Sequence, residues 1–411
     1  MNTLVSNSLP LTRQRPAALP ATLAPATRTA IKLLQNIEGG SLRLVLPDGH
    51  HVMLGHGAER ATLEVNDERV FRRVLAEGDI GFGESWIAGD WHSEQPAELL
   101  TLLAENRQQL ARAVHGSWLP LLGHRLRHLL RSNTRTGSKR NILAHYDLGN
   151  DFYKLWLDPS MSYSSALFGT DPQQSLQQAQ RQKYLRLLEM LDPKPGDTIL
   201  EVGCGWGGLA EYAARHFGCQ VVGATVSKEQ AALARERCAG LPVTVELADW
   251  RSLQGHWDKI VSVGMFEHVG PKNYAGYFRR MRELLADEGL FLLHTIGSER
   301  TERATNAWTE RYIFPNGKLP SALEIARAAE GRFVVEDWHN FGIDYDRTLM
   351  SWWQRFERAW PQLRARYGER FFRMWKFYLL SSAGFFRSHQ GQLWQIVLAP
   401  RGRSCEYRSV R

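Results

Sequence analysis

The chain has 411 residues, of which 43% are hydrophobic and 23% charged, a composition typical of a folded protein with two or three domains. It contains no run of about 18 apolar residues, which excludes a transmembrane helix, and no C-x-x-C pair, which argues against a cysteine zinc site. We expect no metal, and free cysteines in the cytoplasm. The net charge is +8, and residues 107–140 hold eight Lys or Arg and no Asp or Glu, which predicts an anionic partner.

Residues 1–28 are rich in Pro, Ala and Thr and are predicted to form a flexible tail. Residues 29–132 are predicted to form a small α+β domain. In it, the alternating runs SLRLVLP and HHVMLG flank an Asp48-Gly49 turn, and ATLEVND forms a third strand. We expect the Gly-rich segment GDIGFGESWIAGDW to be a tight loop packed on the core.

A basic helix is predicted over residues 106–131, with leucines at helical spacing and Arg or His between them. It is either a membrane-surface helix or a helix packed on the neighbouring domain. The polar residues 133–141 are predicted to be a linker.

Strand and helix patterns alternate through residues 142–400, which predicts a mostly parallel sheet with helices on both faces. The predicted strands are DTILEVG, CQVVGATV, PVTVELADW, DKIVSVG, EGLFLLHTIG, RFVVEDWHN and QLWQIVLAP. The segment 347–379 is helical and rich in aromatic residues, and SKEQ from Ser227 has the pattern of a capping box. Residues 401–411 are predicted to be a C-terminal tail.

A glycine-rich turn, Gly203-x-Gly205-x-Gly207, joins a hydrophobic strand to a helix. Glycines permit the tight turn, and the helix N-terminus presents backbone amides to a ligand. Glu201 just before the turn suits a ligand that carries an ammonium and hydroxyls, as S-adenosylmethionine does. A dinucleotide site and a turn without ligand remain alternatives. No acid ends the second strand, where Thr225 and Gln230 offer hydrogen bonds instead.

The motifs of this region closely resemble those of the cyclopropane-fatty-acyl-phospholipid synthase family, to which the mycolic acid cyclopropane synthases are related. The resemblance covers essentially all of residues 142–400. It rests on HYDLGNDFYKLWLDPSMSYSSALF, EVGCGWGGLA, SVGMFEHVGPKNY, LLHTIGS, YIFPNGKLPS and EDWHNFGIDYDRTL. It implies a Rossmann-like class I methyltransferase fold with a seven-stranded, mostly parallel sheet.

The resemblance also implies the reaction. The cis double bond of a phospholipid acyl chain attacks the methyl group of S-adenosylmethionine, and the resulting carbocation loses a proton to bound bicarbonate and closes to a cyclopropane. Carried over residue by residue, it assigns the bicarbonate pocket to Glu267, His294, Tyr345, Ile296 and the backbone of Ser165. The cofactor contacts that it assigns are Tyr163, Ser164, Glu201, Val202, Gly203, Cys204, Gly205, Gly207, Thr225, Gln230 and Trp250.

Two family cysteines are replaced here by Ser165 and Ser382, and we expect activity to survive both changes. One alternative is methyl or methylene transfer to the same double bond without ring closure. Others are a lipid-binding protein without catalysis and a nucleic-acid methyltransferase. We expect a cytoplasmic enzyme that binds the inner face of the membrane, contacts no nucleic acid and, from the resemblance, forms a homodimer.

Overall fold

The computed structural model describes residues 23–114, 148–302 and 306–410, which contain two sheets. The predicted linker, most of the predicted basic helix and the first 22 residues lie outside these ranges. In the part of the chain that is described, no helix is both long and apolar enough to cross a membrane.

The first sheet has four strands in the order β2-β1-β3-β4. Its strands are β1 (Gly40–Val45), β2 (His51–His56), β3 (Glu59–Val65) and β4 (Trp91–His92). The turn between β1 and β2 forms where the sequence predicts it, because Gly49 adopts a φ of 85° and the His50 amide donates to Asp48 Oδ1 at 3.0 Å. Leu42, Leu44, Leu54 and Leu63 fill the core beside this sheet.

Within the described residues, five helices accompany this sheet. They are α1 (Pro25–Leu34), α2 (Arg69–Glu77), α3 (Asp79–Ala88), α4 (Pro96–Glu105) and α5 (Arg107–Val114). Helix α1 begins inside the segment predicted as a tail, and α5 is the described start of the predicted basic helix.

The prediction that the Gly-rich segment is a loop is wrong, because the segment forms helix α3. Its glycines serve close packing. A Cβ on Gly81 would lie 2.4 Å from the carbonyl oxygen of Arg73, and one on Gly83 would lie 2.4 Å from Cδ1 of Trp308. The absence of side chains lets α3 lie directly against α2 on one side and against the second domain on the other.

The second sheet has seven strands in the order β10-β11-β9-β8-β5-β6-β7, and only β11 runs antiparallel to its neighbours. This confirms the predicted fold class. The strands are β5 (Thr198–Val202), β6 (Gln220–Thr225), β7 (Val243–Leu247), β8 (Trp257–Val263), β9 (Leu285–Ser298), β10 (Phe333–Asn340) and β11 (Gly391–Pro400).

Helices connect these strands and cover the sheet. They are α6 (Asn150–Lys154), α7 (Leu176–Leu191), α8 (Gly208–Phe217), α9 (Lys228–Arg237), α10 (Tyr274–Leu284), α11 (Ala307–Tyr312), α12 (Ala322–Ala329) and α13 (Ile343–Arg387). Ser227 caps α9 by accepting from the Gln230 amide, but the Gln230 side chain accepts from Thr225 instead of completing a capping box.

Helix α13 folds back on itself at Gly368, whose φ of 71° and ψ of 168° interrupt the helix. Its two halves pack through aromatic rings, such as Phe356 stacked on Phe372. The hairpin also docks the N-terminal domain. Arg387, near its end, pairs with Asp346 near its start and with Glu98 of α4. The two domains are therefore joined at the base of α13.

The end of the chain, predicted as a tail, contacts the second domain. Arg186 donates to the carbonyl of Val410 at 3.1 Å, and Ser409 donates to Asp337 at 2.8 Å.

Candidate active site

The glycine-rich turn after β5 has the geometry that its sequence predicts. Gly203, Gly205 and Gly207 have φ values of 92°, 53° and 80°. A Cβ on Gly203 would lie 2.8 Å from the Met265 side chain, so the turn leaves no room for one. Gly207 caps the N-terminus of α8. Backbone amides at this helix end are suited to polar or anionic ligand groups.

A cleft of about 1070 Å³, including its open mouth, lies over this turn at the carboxyl ends of the strands. All the predicted cofactor residues except Gly207 line it. These are Tyr163, Ser164, Glu201, Val202, Gly203, Cys204, Gly205, Thr225, Gln230 and Trp250. Gly207 does not line the cleft and instead forms the end of the turn, where helix α8 begins.

Glu201 brings a buried carboxyl group into the cleft. Its Oε2 is buried and has no hydrogen-bond partner among the described residues. Burial raises the pKa of Glu201 to about 8, and the nearby Lys183 opposes that rise. A carboxyl oxygen without a partner is costly to bury, so this atom fits a cationic ligand group such as an ammonium. The cleft therefore fits S-adenosylmethionine.

The far wall of the cleft carries the groups predicted for the adenosine end. The Thr225 hydroxyl donates to Gln230 Oε1 at 2.7 Å, which orients the amide nitrogen of Gln230. The Trp250 ring makes a T-shaped contact with Tyr277, with ring centroids 5.2 Å apart, and the Arg251 guanidinium lies 4.5 Å from the Trp250 ring centroid. A fixed indole face of this kind suits stacking on a purine.

The sequence analysis missed Lys183, which is buried in the cleft wall on α7. Its Nζ donates to Ser164 Oγ at 2.9 Å and to Ser162 Oγ at 3.4 Å. Burial lowers the pKa of Lys183 to about 7, although Asp158 and Glu201 favour its charged form. A signal existed in the sequence: Lys183 interrupts the apolar stripe of Ala179 and Leu187 at helical spacing.

Next to the cleft, Glu267 follows β8 in a short 3₁₀ turn. Its Oε1 accepts from the Ile296 amide of β9 at 2.7 Å, while its buried Oε2 has no partner in the described ranges. Burial raises the pKa of Glu267 to about 7, against the stabilising effect of the Ile296 hydrogen bond. The pair of Glu267 and Ile296 predicted from the sequence is thus in direct contact.

His294 lies on β9 two residues before Ile296, so both point to the same face of the sheet. Its imidazole is buried, and Nε2 has no hydrogen-bond partner among the residues described. Burial, with a smaller contribution from the charge of Lys183, lowers the pKa of His294 to about 3. The ring is therefore neutral at physiological pH.

Tyr345 is part of helix α13, and Ser165 lies beside the same helix at Thr348. The Tyr345 ring stacks on Phe386 with centroids 4.5 Å apart. One turn later, Thr348 Oγ1 accepts from the Ala166 amide at 3.0 Å and lies 3.4 Å from Ser165 Oγ. The five predicted residues thus form two groups: Glu267, His294 and Ile296 beside β9, and Ser165 with Tyr345 on α13. Lys183 links them, because it binds Ser164 and its charge acts on His294.

Comparison with known proteins agrees with this geometry. A sequence model of the mycolic acid cyclopropane synthetase family matches residues 133–396. The chain is 46% identical to the cyclopropane-fatty-acyl-phospholipid synthase of Escherichia coli K12, over 84% of this chain and 89% of that protein. It is 34% identical to the tuberculostearic acid methyltransferase UfaA1 of Mycobacterium tuberculosis, over 88% of each.

Among solved structures, mycolic acid cyclopropane synthase CmaA1 complexed with SAH and CTAB is similar, with 34% identity and a TM-score of 0.60. The match covers 63% of this chain and 97% of that one. The prediction of an S-adenosylmethionine-dependent methyltransferase is confirmed by these relatives and by the sheet. This chain belongs to the mycolic acid cyclopropane synthetase family.

Proposed function

We propose that this enzyme transfers a methylene from S-adenosylmethionine to the cis double bond of unsaturated phospholipid acyl chains and closes a cyclopropane ring, with bound bicarbonate as the base. One observation carries the proposal: Glu267 Oε2 and His294 Nε2 are buried without a hydrogen-bond partner among the described residues, and Lys183 of the cofactor cleft wall lies near enough for its charge to act on His294. The name of the 46% identical relative from Escherichia coli supports the same substrate class.

The cofactor supplies an electrophilic methyl group on a sulfonium when it is bound. Glu201 Oε2 is the partner for its ammonium, and the backbone at Gly203 and Gly205 allows the close approach. Trp250 would offer its indole ring to the adenine. Tyr163 and Ser164 line the same cleft and would lie beside the bound cofactor.

The buried side chains of Glu267 and His294 hold the base away from bulk water. An imidazole whose pKa is about 3 is a poor base at neutral pH, so His294 acts as a hydrogen-bond donor to a bound anion. Glu267 Oε2 is available to the hydroxyl of bicarbonate, while its Oε1 stays on Ile296. The Ser165 amide and the Tyr345 hydroxyl complete the pocket. A bicarbonate held by these residues would supply the base that takes the proton of the transferred methyl group.

Aromatic rings surround Tyr163 in the wall of the cofactor cleft. Their faces stabilise positive charge on the acyl chain and keep the surroundings apolar. Rings with centroids within 5.6 Å of the Tyr163 ring belong to Tyr153, Trp156 and Trp352. The hydroxyls of Tyr163 and Tyr378 lie 2.8 Å apart and fix the ring.

The test incubates the full chain with S-adenosylmethionine and vesicles of a cis-monounsaturated phospholipid, with and without added bicarbonate. The acyl esters are analysed by gas chromatography and mass spectrometry. We expect a product one CH₂ heavier that resists hydrogenation and depends on bicarbonate. Glu267→Gln should abolish it, whereas Glu310→Gln, at a buried glutamate of α11, should not.

Other outcomes correct the proposal in defined ways. A heavier product that still hydrogenates indicates transfer without ring closure, which the name of the tuberculostearic acid methyltransferase relative favours. Turnover that needs Glu267 and ignores bicarbonate makes Glu267 the base. Absence of any product refutes the proposed reaction.

The substrate implies a membrane partner. We propose that the basic segment 107–140, most of which lies outside the described residues, binds the anionic inner face of the cytoplasmic membrane. Salt-sensitive sedimentation with anionic vesicles, and not with DNA, is expected. The homodimer predicted from the resemblance stays a prediction.

A further inference from the structure

A chain of polar side chains leads from His294 toward the far side of α7. Gln395 on β11 is the direct cross-strand partner of His294, and both side chains are buried. Gln395 Nε2 lies 3.5 Å from Nδ1 of His294. On its other side, Arg186 of α7 donates through Nε to Gln395 Oε1 at 3.0 Å. Arg186 is itself held by His339 Nδ1 and the Val410 carbonyl.

The chemistry of Arg186, Gln395 and His294 determines which of their atoms donate hydrogen bonds and which accept them. A guanidinium only donates, so the Gln395 atom that it contacts is the amide oxygen. The amide nitrogen then faces His294, and it also only donates. Nδ1 of His294 must therefore accept. In a neutral imidazole the single proton consequently lies on Nε2, the atom that is buried without a described partner.

We propose that Gln395 and Arg186 are positioning residues that set the tautomer of His294, so that its Nε2–H is presented to the bound anion. The inference rests on the proposed function, since that function assigns the anion. It explains why a buried glutamine and a half-buried arginine lie behind the pocket. Burial, together with the charge of Lys183 on α7, also keeps the imidazole neutral.

The first experiment reads the tautomer directly and requires no turnover. The full chain is labelled with ¹⁵N-histidine, and the His294 signals are assigned by their loss in His294→Gln. Two-bond ¹H–¹⁵N correlation spectra distinguish a protonated ring nitrogen from an unprotonated one. In the wild type we expect an unprotonated Nδ1 and a protonated Nε2.

Gln395→Glu then reverses the requirement at Nδ1. A carboxylate beside Arg186 has no proton to donate, so it accepts from His294, and Nδ1 becomes protonated. If the proton moves from Nε2 to Nδ1, Nε2 has a lone pair facing the anion and can no longer donate a hydrogen bond to it. Product formation should then fall about tenfold or more, as with other variants that stabilise the wrong histidine tautomer. Thermal melting checks that the variant is folded.

The matched control is Gln392→Glu, three residues earlier on the same strand. Gln392 Oε1 accepts from the Trp394 indole at 2.9 Å, and a carboxylate there still accepts. This variant should keep the wild-type tautomer and its activity. A proton on Nδ1 in the wild type, or equal losses in the two variants, would overturn the inference. A wild type that makes no cyclopropane but shows the Nε2–H tautomer refutes the function and leaves the tautomer assignment standing.

Discussion

Lys183→Met should make the protein more stable and less active. The lysine is fully buried, and burial lowers its pKa from 10.5 to about 7. At 1.36 kcal/mol per pKa unit, burial of this titratable group lowers the free energy of unfolding by about 4 kcal/mol at pH 7. Methionine has a similar shape and no charge, but its thioether makes neither hydrogen bond to Ser162 or Ser164. Two lost hydrogen bonds cost about 2 kcal/mol, so the net gain is about 2 kcal/mol.

The pH dependence of the stability difference distinguishes the removal of a buried titratable group from a general change in packing. Between the folded pKa of about 7 and the unfolded value of 10.5, the unfolded chain binds more protons. The free energy of unfolding of the wild type therefore rises with pH in this window. The variant lacks this contribution, so its advantage should shrink by about 2 kcal/mol between pH 7 and pH 9.

The assay is urea unfolding followed by tryptophan fluorescence at both pH values, together with product formation on vesicles. We expect about a tenfold loss of turnover, because Ser164 in the cleft wall loses its hydrogen bond from Lys183. Lys259→Met is the control, since Lys259 is also buried but lies on β8 outside the cleft. A destabilised Lys183→Met, or one as active as the control, would refute the reasoning.

Two further substitutions test other parts of the structure. Ser382→Ala on α13 should keep turnover within about twofold, as is usual away from charged or core contacts, and a loss beyond tenfold would show that this hydroxyl has a catalytic role. Gly83→Ala should lower the free energy of unfolding by about 1–3 kcal/mol, because its Cβ would lie 2.4 Å from Trp308. Gly276→Ala on α10, where a Cβ meets no atom within 4 Å, should instead leave stability unchanged or raise it in the same calorimetric scan.

Strands were the most predictable part of this molecule. Each of the seven strands in the second sheet overlaps one of the apolar runs that were predicted as strands. Helix α3 was not predictable from local rules, because glycines such as Gly81 and Gly83 are normally helix-breaking. Gly83 is explained only by a neighbour distant in sequence, Trp308, and Gly81 by the packing of α3 on α2. The position of β11 between β10 and β9 is likewise a long-range property.

The cofactor cleft was predictable for a related reason. The spacing of Gly203, Gly205 and Gly207 and the preceding acid lie within seven residues and report a local turn. Glu267, His294 and Tyr345 lie on three distant segments, after β8, on β9 and on α13, and only the family resemblance grouped them. Lys183 escaped both routes, because a lysine on a helix is ordinarily assigned to the exposed face.

The place of β11 also has a consequence during synthesis. The ribosome makes β9 about ninety residues before β11, its partner along eight residue pairs. Until Gly391–Pro400 emerges, the nascent chain carries an apolar strand with one open edge, which is prone to pairing with other chains. A frameshift or stop codon upstream of Gly391 would therefore yield an aggregating product that chaperones must retain, and the order of translation makes the last strand the step that completes the sheet.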